Sequence, residues 1–229
     1  MRSWPAVLLL VGAAACSSLD EGEGGVVALE IQTPQILTVE VNEQVQLSAR
    51  ALDADGEIVD TPILWQASDD ALTVSATGLV TGISPGSSNV QAVAGSLSSD
   101  ALAFSVIAPA DTIVIVGDSV LTIDLSVDPP AAAVMSVRLD SRTPAGPAGT
   151  RPVIFEITQP VAGETAVVQL AGSVQSDTLT TGSDGTISAS LSLVSGQVPP
   201  DTAIVLVRAN RTRGAPVPGS GQRFIVLFQ

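Results

Sequence analysis

Few side chains in this 229-residue sequence could do chemistry, and the first of them is Cys16, its only cysteine. A thiol can act as nucleophile, metal ligand or acceptor of a transferred group, and the first two roles need partners. Those partners are missing, because the sequence has no histidine and no tyrosine, and all nine basic residues are arginine. Ser/His/Asp and Cys/His catalysis, Schiff-base chemistry and the usual zinc sites are thereby excluded. A carboxylate pair is the one catalytic arrangement left, and Glu156 and Glu164 are the only glutamates in the second half. Nothing in their pattern places them across a cleft, and aromatic residues for sugar-binding walls make up 3% of the chain. No enzyme is expected.

Two further groups bear on binding. Asp53-x-Asp55-Gly56 begins like a calcium loop but lacks the later oxygen ligands and the acid near position 12, so it reads as a hairpin turn. Asp100 and Asp111 are the acids a calcium ion between two domains would use; no metal site is expected from the pattern itself. Arg208, Arg211 and Arg213 crowd a strand end running into a loop. Guanidinium forks suit carboxylates and sulfates, so these three make a candidate binding patch for an acidic ligand at the membrane-distal tip. The competing expectation is that each is solvated and paired with a nearby aspartate.

The elements that position these residues begin with the leader. Arg2 precedes an apolar run from Trp4 to Val11, and Ala13-Ala14-Ala15 leads to Cys16. Charge, short apolar segment and small-residue cleavage site make a secretory signal, too short to span a bilayer stably. Its end resembles the lipobox of bacterial lipoproteins. The resemblance implies that residues 1–15 are a signal peptide, that Cys16 is lipidated and becomes the new amino terminus, and that a covalent lipid is the only non-protein group. Several acyl chains on one residue hold a protein stably to a membrane. Ser17 is not the aspartate of the family's inner-membrane retention signal, so the resemblance points to the outer membrane of the bacterial cell envelope. Residues 16–26, acidic and glycine-rich beyond Cys16, form a flexible tether.

The net charge is −14, which repels nucleic acid and excludes it as a partner. The charge is unevenly spread: residues 27–107 carry ten acids against Arg50 alone, and residues 108–229 carry ten acids against seven arginines.

From Val27 apolar residues recur with period two: Leu37, Val39 and Val41, then Val45, Leu47, Ala49 and Ala51, with Gln44, Gln46, Ser48 and Arg50 on the opposite face. About seven short strands with regular turn signals and no helical period predict a β-sandwich. Residues 27–107 resemble a bacterial immunoglobulin-like domain of group 2 in Leu47 with Ala49, Asp55-Gly56, Trp65-Gln66-Ala67-Ser68, Gly78-Leu79-Val80-Thr81-Gly82 and Pro85-Gly86. Asp69-Asp70 departs from that family's usual turn. Trp65, a large ring on a central strand, is expected as the structural core aromatic between the sheets.

Residues 108–111 (Ala-Pro-Ala-Asp) are a linker whose proline restricts swing. Residues 112–229 again alternate, through Ile113 and Ile115, then Leu121, Ile123, Leu125 and Val127, and then Met135, Val137 and Leu139. A Pro/Gly-rich loop is expected over 141–151, and a tight turn over 183–186 between strands 178–181 and 187–193. This half resembles the invasin/intimin-type (group 1) Ig-like domain in Pro152-Val153-Ile154-Phe155, Thr181-Gly182-Ser183-Asp184-Gly185 and Val205 to Ala209, with an unusual insertion between Ile157 and Thr178. The expected fold class is therefore all-β, two tandem immunoglobulin-like β-sandwiches after a lipoprotein signal peptide. The expected role is display of those domains for adhesion or for binding a surface glycan or protein. A spacer with no ligand of its own is the alternative.

Overall fold

The computed structural model describes residues 25–161, 166–171 and 175–229. Cys16, its leader and most of the tether lie outside the described residues, as does Glu164. The described chain is all-β: two immunoglobulin-like sandwiches in tandem, with no helix among the described residues.

In the first half, Ala28–Ile31, Ala49–Leu52 and Ile58–Val59 make one antiparallel sheet, and Gln44–Gln46, Leu79–Gly82 and Leu72–Val74 another. Gly86–Ala94 is the spine of the third sheet, pairing with Leu97–Ser98, Leu102–Ile107 and Leu64–Ala67. Thr38–Glu40 joins that sheet parallel to Leu102–Ile107. Val39, Leu47, Leu72, Val80, Val90, Phe104 and Val106 close one core, while Val26, Leu29, Ala51 and Ala94 close a smaller one.

The continuous alternation from Val45 to Ala51 does not become one strand. The ladder changes sheets at Leu47–Ser48, where the Leu47 N–H donates to Gly78 O (2.9 Å) and Ser48 O accepts from the Gln32 N–H (2.9 Å). The apolar face survives the switch, because Val45, Leu47 and Ala51 all stay buried. Side-chain period thus outlasts hydrogen-bond partner.

In the second half, Thr112–Val116, Ala133–Arg142, Thr186–Leu193 and Val168–Leu170 form one sheet in that order. Val120–Ile123, Gln222–Phe228, Thr202–Ala209, Pro152–Gln159 and Ser176–Thr180 form the other, the first pair parallel. Inward residues of both sheets meet in a single core around Phe155, Phe224, Ile113, Ile123, Met135, Leu139 and Leu191.

Two sequence expectations are corrected here. The loop over 141–151 contains a short strand, Ala145–Pro147, which folds back on Ala133–Arg142. The turn over 183–186 exists, with the Gly182 N–H donating to Thr186 O (2.9 Å) and Gly185 at φ +74°. It does not close a hairpin, since Ser176–Thr180 pairs with Pro152–Gln159 and Thr186–Leu193 belongs to the opposite sheet. Turn chemistry identifies where a chain reverses; it does not say which sheet receives the next strand.

Candidate functional site

Four ion pairs among the described residues lie where the two sandwiches meet, and the site is built from the end of Thr38–Glu40. Parallel pairing sets Glu40 beside Ile107, the last strand residue before the linker. A four-residue turn follows: the Glu43 N–H donates to Glu40 O (2.9 Å), and Asn42 takes φ 67°. Asparagine tolerates that left-handed conformation better than most residues. The turn lets the Glu40 N–H donate to Glu43 Oε2 (2.8 Å), so both carboxylates are fixed on one edge of the first sandwich. Gly82 permits the approach, because a Cβ there would lie 2.5 Å from Glu40 O and 3.1 Å from Val106 Cγ1.

Alternation puts Glu40 opposite Val39 and Val41, on the face a lone sandwich would offer to water. It is nevertheless only 2% exposed. The second sandwich covers it with Arg151, whose Nη1 stands 3.1 Å from Glu40 Oε1 with the two side chains 3% and 2% exposed. Arg151 is held by Thr181 on both sides of its peptide: its N–H donates to Thr181 Oγ1 (2.9 Å), and its carbonyl accepts from the Thr181 N–H (2.9 Å). Its Nη2 donates to Ala108 O in the linker. Its Nε is buried with no partner. Burial pushes the Arg151 guanidinium below the ordinary arginine value, and the charges of Glu40 and Glu43 pull it back up.

A second contact comes from the tip after Thr202–Ala209. There the Arg211 N–H donates to Ala215 O (2.7 Å), and Gly214 closes the turn at φ +86°. The tip presents Arg211 to Asp111 of the linker and to Glu40 Oε2 (3.6 Å). The Thr212 N–H donates to Glu40 Oε1 (3.3 Å) and its hydroxyl to Glu43 Oε2 (3.1 Å). Arg213 Nε lies 3.3 Å from Glu43 Oε1, and its Nη2 donates to Thr38 O (3.4 Å). Three acids from the first sandwich and linker thus meet three arginines of the second.

This relocates the candidate patch. Arg211 and Arg213 face the first sandwich instead of the distal tip, and their charges are met by Glu40, Glu43 and Asp111. Arg208 is not with them. It lies on the sheet face, half exposed, 2.6 Å from Glu156 Oε2. The three do not form one ligand surface, because successive residues of a strand and its turn point different ways. Glu40 and Arg151, which complete the junction, stand in no motif that marks them in the sequence. The signal that could have found them is the charge imbalance between halves: an acid-rich domain followed by an arginine-rich one can pair across their boundary.

The other candidates fall as follows. Asp53 Oδ1 accepts from the Asp55 N–H (3.0 Å) and the Glu57 N–H (2.9 Å), which makes it the organiser of its turn. Asp111 accepts from the Arg142 N–H (2.8 Å) as well as from Arg211. Among the described residues, no group of three or more His, Cys, Asp or Glu side chains is placed to hold a metal ion. Trp65 packs against the first core but stays half-buried, because Leu64–Ala67 pairs on one side only and leaves the ring at a sheet edge. Gly78, at φ +81°, lies against that ring; a Cβ there would come within 2.9 Å of Trp65 Cε2.

With the geometry established, comparison with known proteins bears on the first sandwich. Residues 30–104 match the bacterial Ig-like domain, group 2. They are a group 2 bacterial Ig-like domain. The remainder supplies a second Ig-like region. No curated protein matches the chain. Among solved structures, it is similar to the Yersinia pseudotuberculosis adhesin InvE at 17% identity, covering 91% of this chain and 61% of that one, with a TM-score of 0.43. It is also similar to the Escherichia coli adhesin FdeC at 14% identity, covering 86% and 63%, with a TM-score of 0.46. Domains 4 and 5 of the S-layer protein SbsC align at 15% identity over 89% and 98%, with a TM-score of 0.34. The chain spans less than two thirds of the InvE and FdeC chains it aligns with.

Proposed function

We propose that the protein is a non-catalytic lipoprotein of the bacterial cell envelope. In this reading, lipid on Cys16 anchors it at the outer membrane, and its Ig-like sandwiches are displayed for adhesion or for binding a surface glycan or protein. The observation that carries the reading is a group 2 bacterial Ig-like domain placed a short acidic tether behind a signal that ends in the only cysteine. A side-chain set without histidine, lysine or tyrosine supports binding over catalysis. The spacer reading draws support from one specific feature: Arg211 and Arg213 are spent on the junction, which stiffens the body and withdraws the cations that would have met an acidic ligand.

Protease shaving of intact cells, with mass spectrometry of the released peptides and of the amino terminus, tests this. The display reading expects peptides of residues 27–229 in the shaved fraction and an acylated Cys16. A mature protein with an unmodified Cys16 or an intact leader would overturn the anchor. Full protection from external protease would overturn display and favour the internal spacer.

A further inference from the structure

Glu40 belongs by backbone to the first sandwich, yet its carboxylate is enclosed by groups of the second. Among the described residues, the charged groups that face it come from three elements. Arg151 approaches from the start of Pro152–Gln159, Arg211 from the tip after Thr202–Ala209, and Glu43 from its own turn. Arg213 reaches Glu43, and Asp111 of the linker reaches Arg211. Arg151 also binds the linker carbonyl of Ala108, so one guanidinium ties the first sandwich, the linker and the second sandwich together.

We propose that Glu40 is a charge-operated latch fixing the orientation of the two sandwiches. Its carboxylate neutralises Arg151 and Arg211 inside the junction and accepts the Thr212 N–H. With a neutral side chain in its place, those two guanidiniums stand close together with less counter-charge, one of them almost wholly buried. An uncompensated buried cation is far costlier than a hydrated one, so the junction opens and the arginines regain water. Each sandwich keeps its own core, because none of the three apolar clusters mixes residues of the two halves. What the latch controls is the freedom of one sandwich to move relative to the other.

Amide hydrogen exchange on the full chain tests the latch, since junction carboxylates accept three backbone N–H groups: those of Thr212, Glu40 and Arg142. In Glu40→Gln, exchange at Thr212 should rise by about tenfold or more, as expected for loss of a charge-assisted bond, while Val90, Phe104, Val205 and Phe224 stay protected. Arg208→Gln, which removes an exposed pair, should leave Thr212 unchanged. If Glu40→Gln fails to fold, Arg211→Gln decides: protection at Thr212 should fall while that of the cores is kept. Unchanged exchange at Thr212 in Glu40→Gln overturns the latch. So does loss of its protection only in step with the cores.

Discussion

Replacing Arg151 with methionine separates a junction held by charge from one held by apolar contact. The substitution keeps much of the side chain's length and apolar stem but removes the guanidinium from a position 2% exposed. Glu40 then stays buried with only Arg211, 3.6 Å away, and the Thr212 N–H, 3.3 Å away, to satisfy it. Breaking a buried pair by removing one partner destabilises by about 3–5 kcal/mol, and the surviving partners place Arg151→Met near the lower bound. The linker carbonyl of Ala108 also loses its donor. For a protein of this size about 3 kcal/mol corresponds to a fall in Tm of roughly 6–12 °C. Arg208→Met is the matched control, because its pair with Glu156 has side chains 50% and 35% exposed and contributes about 0–1 kcal/mol. Urea and thermal unfolding followed by circular dichroism should rank Arg151→Met well below Arg208→Met. Equal stabilities would refute the claim that the junction pair is buried and interacting.

Other outcomes follow from local geometry. Gly185→Ala places a Cβ against Leu139 O at φ +74°, so it should destabilise by about 1–3 kcal/mol in chemical unfolding, whereas Gly56→Ala, at φ +82° with open space around it, should cost about 1 kcal/mol. Gly82→Ala should weaken the first sandwich and the junction together, seen as faster amide exchange at Glu40 and Thr212, because the added methyl meets Glu40 O. Asp69, Asp124 and Asp184 are held below the usual carboxylate range, Asp69 chiefly by the Ala71 N–H, Asp124 by the Ser126 hydroxyl and Asp184 by the Thr186 hydroxyl. A depressed folded value means that this stabilisation is fully present above the unfolded value and is lost as pH falls through the folded one. Carboxyl NMR titrations should therefore give midpoints below 3.8 for all three, and a midpoint at or above it would contradict the turn geometry.

Much of the fold is legible in the chain because period-two burial is local. Met135, Val137 and Leu139 read as one inward face, and all three are buried. Ladder partners are less legible, since they depend on residues far away: the Val45–Ala51 alternation gives no hint of the sheet change at Ser48. Trp65 shows the same limit, for a ring that suits a core can sit at an edge when its strand gains one neighbour only. The junction was hidden for a related reason. A polar residue between Val39 and Val41 is written like any solvent-facing residue, and only the arrival of another domain makes Glu40 interior. The partners of Arg211 and Arg213 are not visible from spacing, because Asp111 lies 100 residues earlier and Glu40 and Glu43 earlier still. Their pairing is tertiary information that spacing cannot carry.

The central claim is that buried charge at Glu40 and Arg151 joins two separate cores into one body. Residual dipolar couplings measured on the full chain at neutral pH test it most directly. The account predicts that amides of both sandwiches fit a single alignment tensor in the arrangement described, and that Glu40→Gln splits the fit into two tensors. Two differing tensors in the unsubstituted protein, or one shared tensor that survives the substitution, would contradict it.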